Sequence, residues 1–189
     1  GTVTNYKSAG NYEFNYVKSK NGNIIELEKA LTRTYDIPTG KVQLIRVPYY
    51  KSVKFANRIT CLPWDGSKGG VLVLNVKDTV ELNANIDVSG KGFRGGATTN
   101  IISNTLNCYI DDYFADISSS KTAHKGEGIA EISNSKINGR GNLANGGGGG
   151  NGHNSGGGGG SNIAIGGFGG YPLDNCGTLN YENRGIGGR

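Results

Sequence analysis

The sequence predicts an all-β chain: a small antiparallel barrel or meander, then β-solenoid-like or sandwich strands, then a glycine-rich bundle of extended polyglycine-II-type helices. Three observations predict it. Short runs of four to seven residues alternate apolar and polar side chains, as in Tyr12–Lys18 and Val42–Val47. Asn, Asp and Gly corners separate these runs, and such residues tolerate turn geometry. Glycine fills 34 of 189 positions, 11 of them within residues 1–125 and 23 within residues 126–189. The division this implies is a barrel or meander over 1–66 and strands plus polyglycine over 67–189.

The elements follow in order. Tyr12, Phe14 and Tyr16 share one face of the first run. Asn21-Gly22 is a strong hairpin signal, and the chain returns as Asn23-Ile24-Ile25-Glu26-Leu27. Pro38-Thr39-Gly40 turns into Val42-Gln43-Leu44-Ile45-Arg46-Val47, and Pro48, with no N–H to donate, ends that strand or marks an edge. Val53 and Phe55 suggest another strand. Residues 69–90 read as shorter pieces: a strand over 71–76, a turn at Lys77-Asp78, a strand over 79–82, a corner at Asn83-Ala84-Asn85, and Ile86-Asp87-Val88-Ser89-Gly90. Strands of this length suggest stacked rungs or one sheet of a sandwich, although no regular repeat of 20–50 residues accompanies them. Residues 97–125, rich in Thr, Ser and Asn, read as an insertion.

The tracts Gly146–Gly150 and Gly156–Gly160 flank Asn151-Gly152-His153-Asn154-Ser155, and Gly166-Gly167-Phe168-Gly169-Gly170 follows. Gly/Ser linkers lack large side chains, whereas Ile163, Ile165, Phe168 and Tyr171 punctuate these tracts and can pin them down. An extended left-handed helix of three residues per turn points its backbone N–H and C=O groups outward. Glycine helices approach closely enough to bond one another because no Cβ intervenes. Ordering glycine costs more conformational entropy than ordering any other residue, so many simultaneous bonds are needed.

The formal net charge of +5 is uneven: 11 Lys/Arg face 5 Asp/Glu in residues 1–70, and 9 face 10 in the rest. A basic half can attract an anionic partner. The lysines Lys18, Lys20, Lys51 and Lys54 alternate with other residues as on a solvated strand face, so nucleic acid is not the expected partner. Cys61, Cys108 and Cys176 fit no metal-binding spacing and allow at most one internal disulfide, whose pairing stays open. No apolar run approaches the ~20 residues of a membrane-spanning helix. The chain opens on Gly1-Thr2-Val3-Thr4, without a signal-peptide pattern, and stops within Gly185-Ile186-Gly187-Gly188-Arg189, as expected of a piece of a longer protein.

Residues able to carry chemistry are sparse. His124 and His153 form no zinc pattern. Gly90-Lys91-Gly92-Phe93-Arg94-Gly95 precedes no helical pattern and so lacks the helix N-terminus a phosphate loop needs. Asp111, Asp112 and Asp116 offer carboxylates to a calcium ion, at a spacing unlike an EF-hand. No other cofactor is expected. Carboxylate pairs for glycoside chemistry would be Glu127 with Glu131, or Asp111 with Asp116. For Glu127, between glycines, the competing role is to cap backbone N–H groups or to pair with Arg94 or Arg140. The candidate ligand contacts are Tyr49, Tyr50, Trp64, His153 and Asn154. Packing in a core or turn competes for the aromatics, and hydrogen bonding at a bundle edge competes for His153.

A longer set of segments adds to this reading: Gly10-Asn11-Tyr12-Glu13-Phe14, residues 41–48, Gly69-Gly70-Val71-Leu72, residues 86–96, Lys125-Gly126-Glu127-Gly128-Ile129-Ala130 and residues 145–160. In this order they resemble an N-terminal glycine-rich module of large secreted or surface proteins of Bacteroidota, many of which end in a gliding-motility-associated or type 9 secretion sorting domain. That module begins with further strands before the position of Gly10, and no sorting domain follows Arg189. The resemblance implies an adhesin-like role at the bacterial cell surface or outside the cell. It implies partners among cell-surface glycans or other surface components, the other domains of the same larger protein, and the secretion machinery; it implies no catalytic residues. The polyglycine tracts also resemble those of phage tail-tip adhesins and of the glycine-rich region of some receptor kinases. The second expectation is a polysaccharide-processing domain, hydrolase or lyase, on a β-helix, and the third is a spacer.

Overall fold

The computed structural model describes residue 6 and residues 8–37, 39–99, 112–152, 154–171 and 184–189. The described residues are all-β in character, with two small sheets and one helical turn, a 3-10 turn at Asn134–Lys136. No helix among them is long and apolar enough to cross a membrane. They fall into two compact units, one within residues 5–43 and one within residues 44–189. Cys108, Asp111, His153 and Cys176 lie outside the described residues, as do Pro38 and residues 100–111 of the expected insertion.

In the smaller unit the hairpin forms where its turn signal stands. Strand β1 (Val17–Asn21) pairs antiparallel with β2 (Ile24–Leu27), with Asn21 facing Ile24. The two loop residues are therefore Gly22 and Asn23, one position later than the Asn-Gly reading, and Gly22 takes φ +57°. The alternation before Val17 does not become a ladder. Its polar members hold it instead: the Glu13 carboxylate accepts from Thr32 N and Oγ1, Arg33 N and Tyr35 Oη. Asn15 donates to Lys29 O and accepts from its N–H. Tyr12, Phe14 and Tyr16 consequently face solvent, Tyr12 with 73% of its surface exposed.

In the larger unit β3 (Tyr49–Phe55) pairs parallel with β4 (Asn75–Leu82). Tyr49 faces Asn75 and Phe55 faces Leu82, so the offset between partners grows by one along the pair. The extra residue falls at Lys77-Asp78. What reads as a turn is a β-bulge inside one strand, where two residues oppose one and the chain bends without reversing. The pairing continues beyond the strands through Ile59 beside Ile86 and Trp64 N on Lys91 O at 2.8 Å. Of the other expected strands, 42–47 joins no ladder, 71–74 precedes β4 without being part of a strand, and 86–90 contributes only the bridge at Ile86.

Past residue 112 the interior changes character. Ala144, 6% exposed, is the single buried hydrophobic residue among the described ones. The other buried positions are Thr122, Lys125, Asn138, Arg140, Asn151 and glycines such as Gly146–Gly150. Segment 146–150 is surrounded on several sides. Ala123 N donates to Gly150 O and Gly126 N to Gly147 O, while Gly149 N donates to Gly139 O. Gly148 N donates to Ile186 O, and Gly148 O accepts from Gly158 N. Bonds between one pair of segments recur every third residue: Gly156 and Gly159 donate to Gly170 and Gly167, and Gly166 and Gly169 donate to Gly188 and Gly185. Gly185 and Gly188 in turn donate to Gly156 and Gly159, closing three segments on one another. A β-ladder would repeat at every second residue.

The missing Cβ is required at specific places. A Cβ on Gly148 would fall on Arg140 O, and one on Gly187 would fall on Gly166 O, whereas one on Gly167 would meet nothing within 4 Å. Gly148→Ala and Gly187→Ala should each lower the thermal midpoint by at least about 5 °C, because backbone must separate to admit the methyl. Gly167→Ala should leave the midpoint unchanged or slightly raised. Equal losses at all three positions, read by differential scanning fluorimetry, would contradict this packing.

Candidate functional site

The expected ligand contacts are distributed over separate parts of the larger unit. Tyr49 and Tyr50 are adjacent on β3, so their side chains leave opposite faces of the strand. Tyr49 is exposed; the ring of Tyr50 meets the edge of Phe55, with centroids 6.2 Å apart. Lys51 beside them is exposed. Trp64 is half-buried, its ring edge-to-face with Phe93 at 5.4 Å and its Nε1 donating to Glu127 Oε2 at 3.0 Å. Asn154 is exposed at φ +59°, a left-handed conformation that Asn tolerates in a turn.

Glu127 takes the role of a structural acceptor. Its Oε2 accepts from Trp64 Nε1, Arg94 N and Arg94 Nε, each at 3.0 Å, and its Oε1 pairs with Arg94 Nη2. Glu127 N also donates to Arg94 O, which fastens the two chain segments in both directions. The Arg94 guanidinium holds the Glu127 carboxyl below its usual range, against a partial desolvation that raises it. Glu131 is exposed. Asp116 Oδ1 accepts from Ser118 N and Oγ, which lowers its pKa and closes its own turn. Asp112 contributes its backbone carbonyl, which accepts from Asn151 Nδ2 and Arg140 N. Among the described residues no three His, Cys, Asp or Glu side chains converge as a metal site would require. Cys61 is a free, half-buried thiol.

Cations over aromatic rings take the place of apolar pairs around the glycine segments. Lys125 is buried, its Nζ donating to Tyr113 O at 2.6 Å, Gly139 O at 2.8 Å and Gly141 O, with the Phe114 ring centroid 4.4 Å away. Burial pushes its pKa down to about 7, which disfavours the charged form by roughly 5 kcal/mol. Its three bonds to backbone carbonyls favour the charged form and oppose that cost. Arg140 lies over Tyr113 at 4.9 Å. Arg184 lies over both Phe168, at 4.3 Å, and Tyr171, at 4.7 Å.

The comparisons are silent. The chain matches no protein-family model, no curated protein and no solved structure. The geometry alone therefore carries the argument. It joins Trp64 to Arg94 and Glu127, keeps the β3 tyrosines apart from them, and adds a cluster the sequence reading did not single out: Phe168, Tyr171 and Arg184. The aromatics between glycines were its visible signal; Arg184, twelve or more residues away, had none.

Lys125→Met should destabilise the protein by about 3–5 kcal/mol in chemical denaturation, since three carbonyls lose their donor. Lys136→Met, at an exposed position, should stay within about 0.5 kcal/mol. The depressed Glu127 pKa makes its contribution present above the ordinary value of 4.5 and lost as pH falls through the lower folded value. Glu127→Gln should cost about 1 kcal/mol at pH 6, after allowance for the exposure of Arg94, and should flatten the loss of stability between pH 5 and pH 3. An unchanged acid limb in that variant would contradict the assignment.

Proposed function

We propose that this chain is a non-catalytic, adhesin-like module of a larger exported protein, working outside the cell or on the bacterial surface, in which packed polyglycine-II helices hold binding side chains against a glycan. One observation carries the reading: past residue 112 the buried positions are glycines and polar side chains, with Ala144 the single buried hydrophobic residue among the described ones, while rings such as Phe168 and Tyr171 stay exposed. Hydrogen bonds that recur at every third residue support a helix with three residues per turn. The parallel β3–β4 pair, prolonged by Ile59–Ile86 and Trp64–Lys91, supports a solenoid-like turn leading into that lattice. A rigid scaffold that spends little side-chain volume on its own core leaves side chains on its margins for recognition.

The resemblance to Bacteroidota surface modules supports the same location and supplies the wider setting, with the other domains of the larger protein and the secretion machinery as further partners. On the surface itself, Tyr49 and Lys51, on one face of β3, combine exposed ring area with a positive charge, a combination suited to sugar rings and their substituents.

The purified chain should be retained on some members of a panel of immobilised bacterial, algal and plant polysaccharides, and the eluted glycans should keep their length. Tyr49→Ala should weaken retention by roughly two- to tenfold, and Tyr50→Ala, on the opposite face of β3, should weaken it less. Shortened glycans would replace the adhesin reading with a polysaccharide-processing one. Retention on no member of the panel would leave a spacer.

A further inference from the structure

We propose that Arg184, held over Phe168 and Tyr171, is a carboxylate-binding site, and that the glycan it selects is an acidic, uronate-containing polysaccharide. This rests on the glycan-binding reading and names its ligand class. The guanidinium carbon lies 4.3 Å from the centroid of one ring and 4.7 Å from the other, so ring faces fix its plane. Five N–H donors are available on a guanidinium. Among the described residues none of those of Arg184 has a hydrogen-bond acceptor, and it forms no ion pair. This sets it apart from the other cations around the lattice. Lys125 spends all three of its N–H groups on carbonyls, and Arg94 spends its fork on Glu127.

The geometry also chooses which edge is used. Arg184 Nε is buried, which closes that side to a ligand, while the residue as a whole is only half-buried. The terminal Nη pair is the remaining edge, and it matches the two oxygens of a carboxylate. Phe168 and Tyr171 are each more than half exposed, so they can border a sugar ring whose carboxylate is seated on the fork. The backbone beneath is firm: Arg140 Nε donates to Arg184 O, Gly185 N to Gly156 O, and Gly169 N to Gly185 O. A preorganised, ring-stacked guanidinium loses little freedom when it binds.

The test is retention of the full chain on immobilised alginate, a polyuronate, beside a neutral β-glucan and dextran sulfate. The wild type should bind alginate more tightly than the neutral glucan, and raising the salt concentration should weaken alginate binding most. Arg184→Gln should weaken alginate binding by about tenfold or more while leaving retention on the neutral glucan within about twofold. Arg184→Lys keeps the charge but loses the planar fork, and should recover only part of the loss. Thermal midpoints within a few degrees of wild type for both variants would show that the fold is intact; if Arg184→Gln fails to fold, the Lys variant carries the comparison. Alginate binding unaffected by either variant would overturn the site while leaving glycan binding standing. Tighter binding to dextran sulfate than to alginate, lost in Arg184→Gln, would overturn the carboxylate assignment in favour of a sulfate. Retention on none of the three, with none on the wider panel, would overturn the glycan reading itself.

Discussion

The larger unit depends on one constraint: neighbouring backbones must come close enough to hydrogen-bond face on, and only a residue without Cβ permits that. At Gly148, Gly149, Gly158, Gly166, Gly169, Gly185 and Gly187 an added methyl would overlap a backbone atom of another segment. Some of the glycine N–H groups that donate across the lattice join segments far apart in sequence, as Gly148 does with Ile186. Little apolar area is buried there, so the hydrophobic term that dominates most folds is small. Cooperative backbone bonding must instead offset the large entropy of ordered glycine. This explains why the tracts are long and adjacent in space, since a single glycine strand would leave its outward N–H and C=O groups to water.

The same constraint accounts for the side chains around the lattice. With few aliphatic groups inside, buried polar side chains meet backbone carbonyls, as Lys125 does with three of them and Asn151 with Asp112 O. Arginines and lysines cover aromatic rings at 4.3–4.9 Å, joining chain segments that have no hydrophobic core to join them. Several carboxylates are committed to partners within the protein. Asp65 is lowered to about 2, chiefly by the backbone N–H groups of Lys68 and Ser67, and Glu127 is committed to Arg94 and Trp64. Arg184 differs in having its ring contacts without an acceptor among the described residues.

Part of this was legible in the sequence. The hairpin followed from Asn21-Gly22, though the loop settled on Gly22-Asn23; the difference lies in turn register, which backbone twist decides. The all-β character followed from alternating runs between Asn, Asp and Gly corners. Lys77-Asp78 misled because a bulge and a turn favour similar residues, and only the partner strand distinguishes them. Tyr12, Phe14 and Tyr16 misled for another reason. Alternation shows that two faces differ, and here Glu13 and Asn15 supply the anchoring face through hydrogen bonds to 29–35. The pairing of Glu127 with Arg94 was among the alternatives the residues allowed, whereas the Trp64 bond and the placement of Arg184 depend on long-range packing that no local pattern encodes.

Amide hydrogen exchange, resolved residue by residue by NMR, tests the glycine lattice most directly. Gly148, Gly149, Gly158, Gly166, Gly169 and Gly185 donate across segments and should exchange slowly, with protection at least about a hundredfold above coil. Gly157, Gly167 and Gly170, whose N–H groups have no partner among the described residues, should exchange far faster. That alternation within single glycine tracts is the result the packed lattice predicts. Uniformly rapid exchange through Gly146–Gly150 and Gly156–Gly160 would show a flexible linker and contradict it.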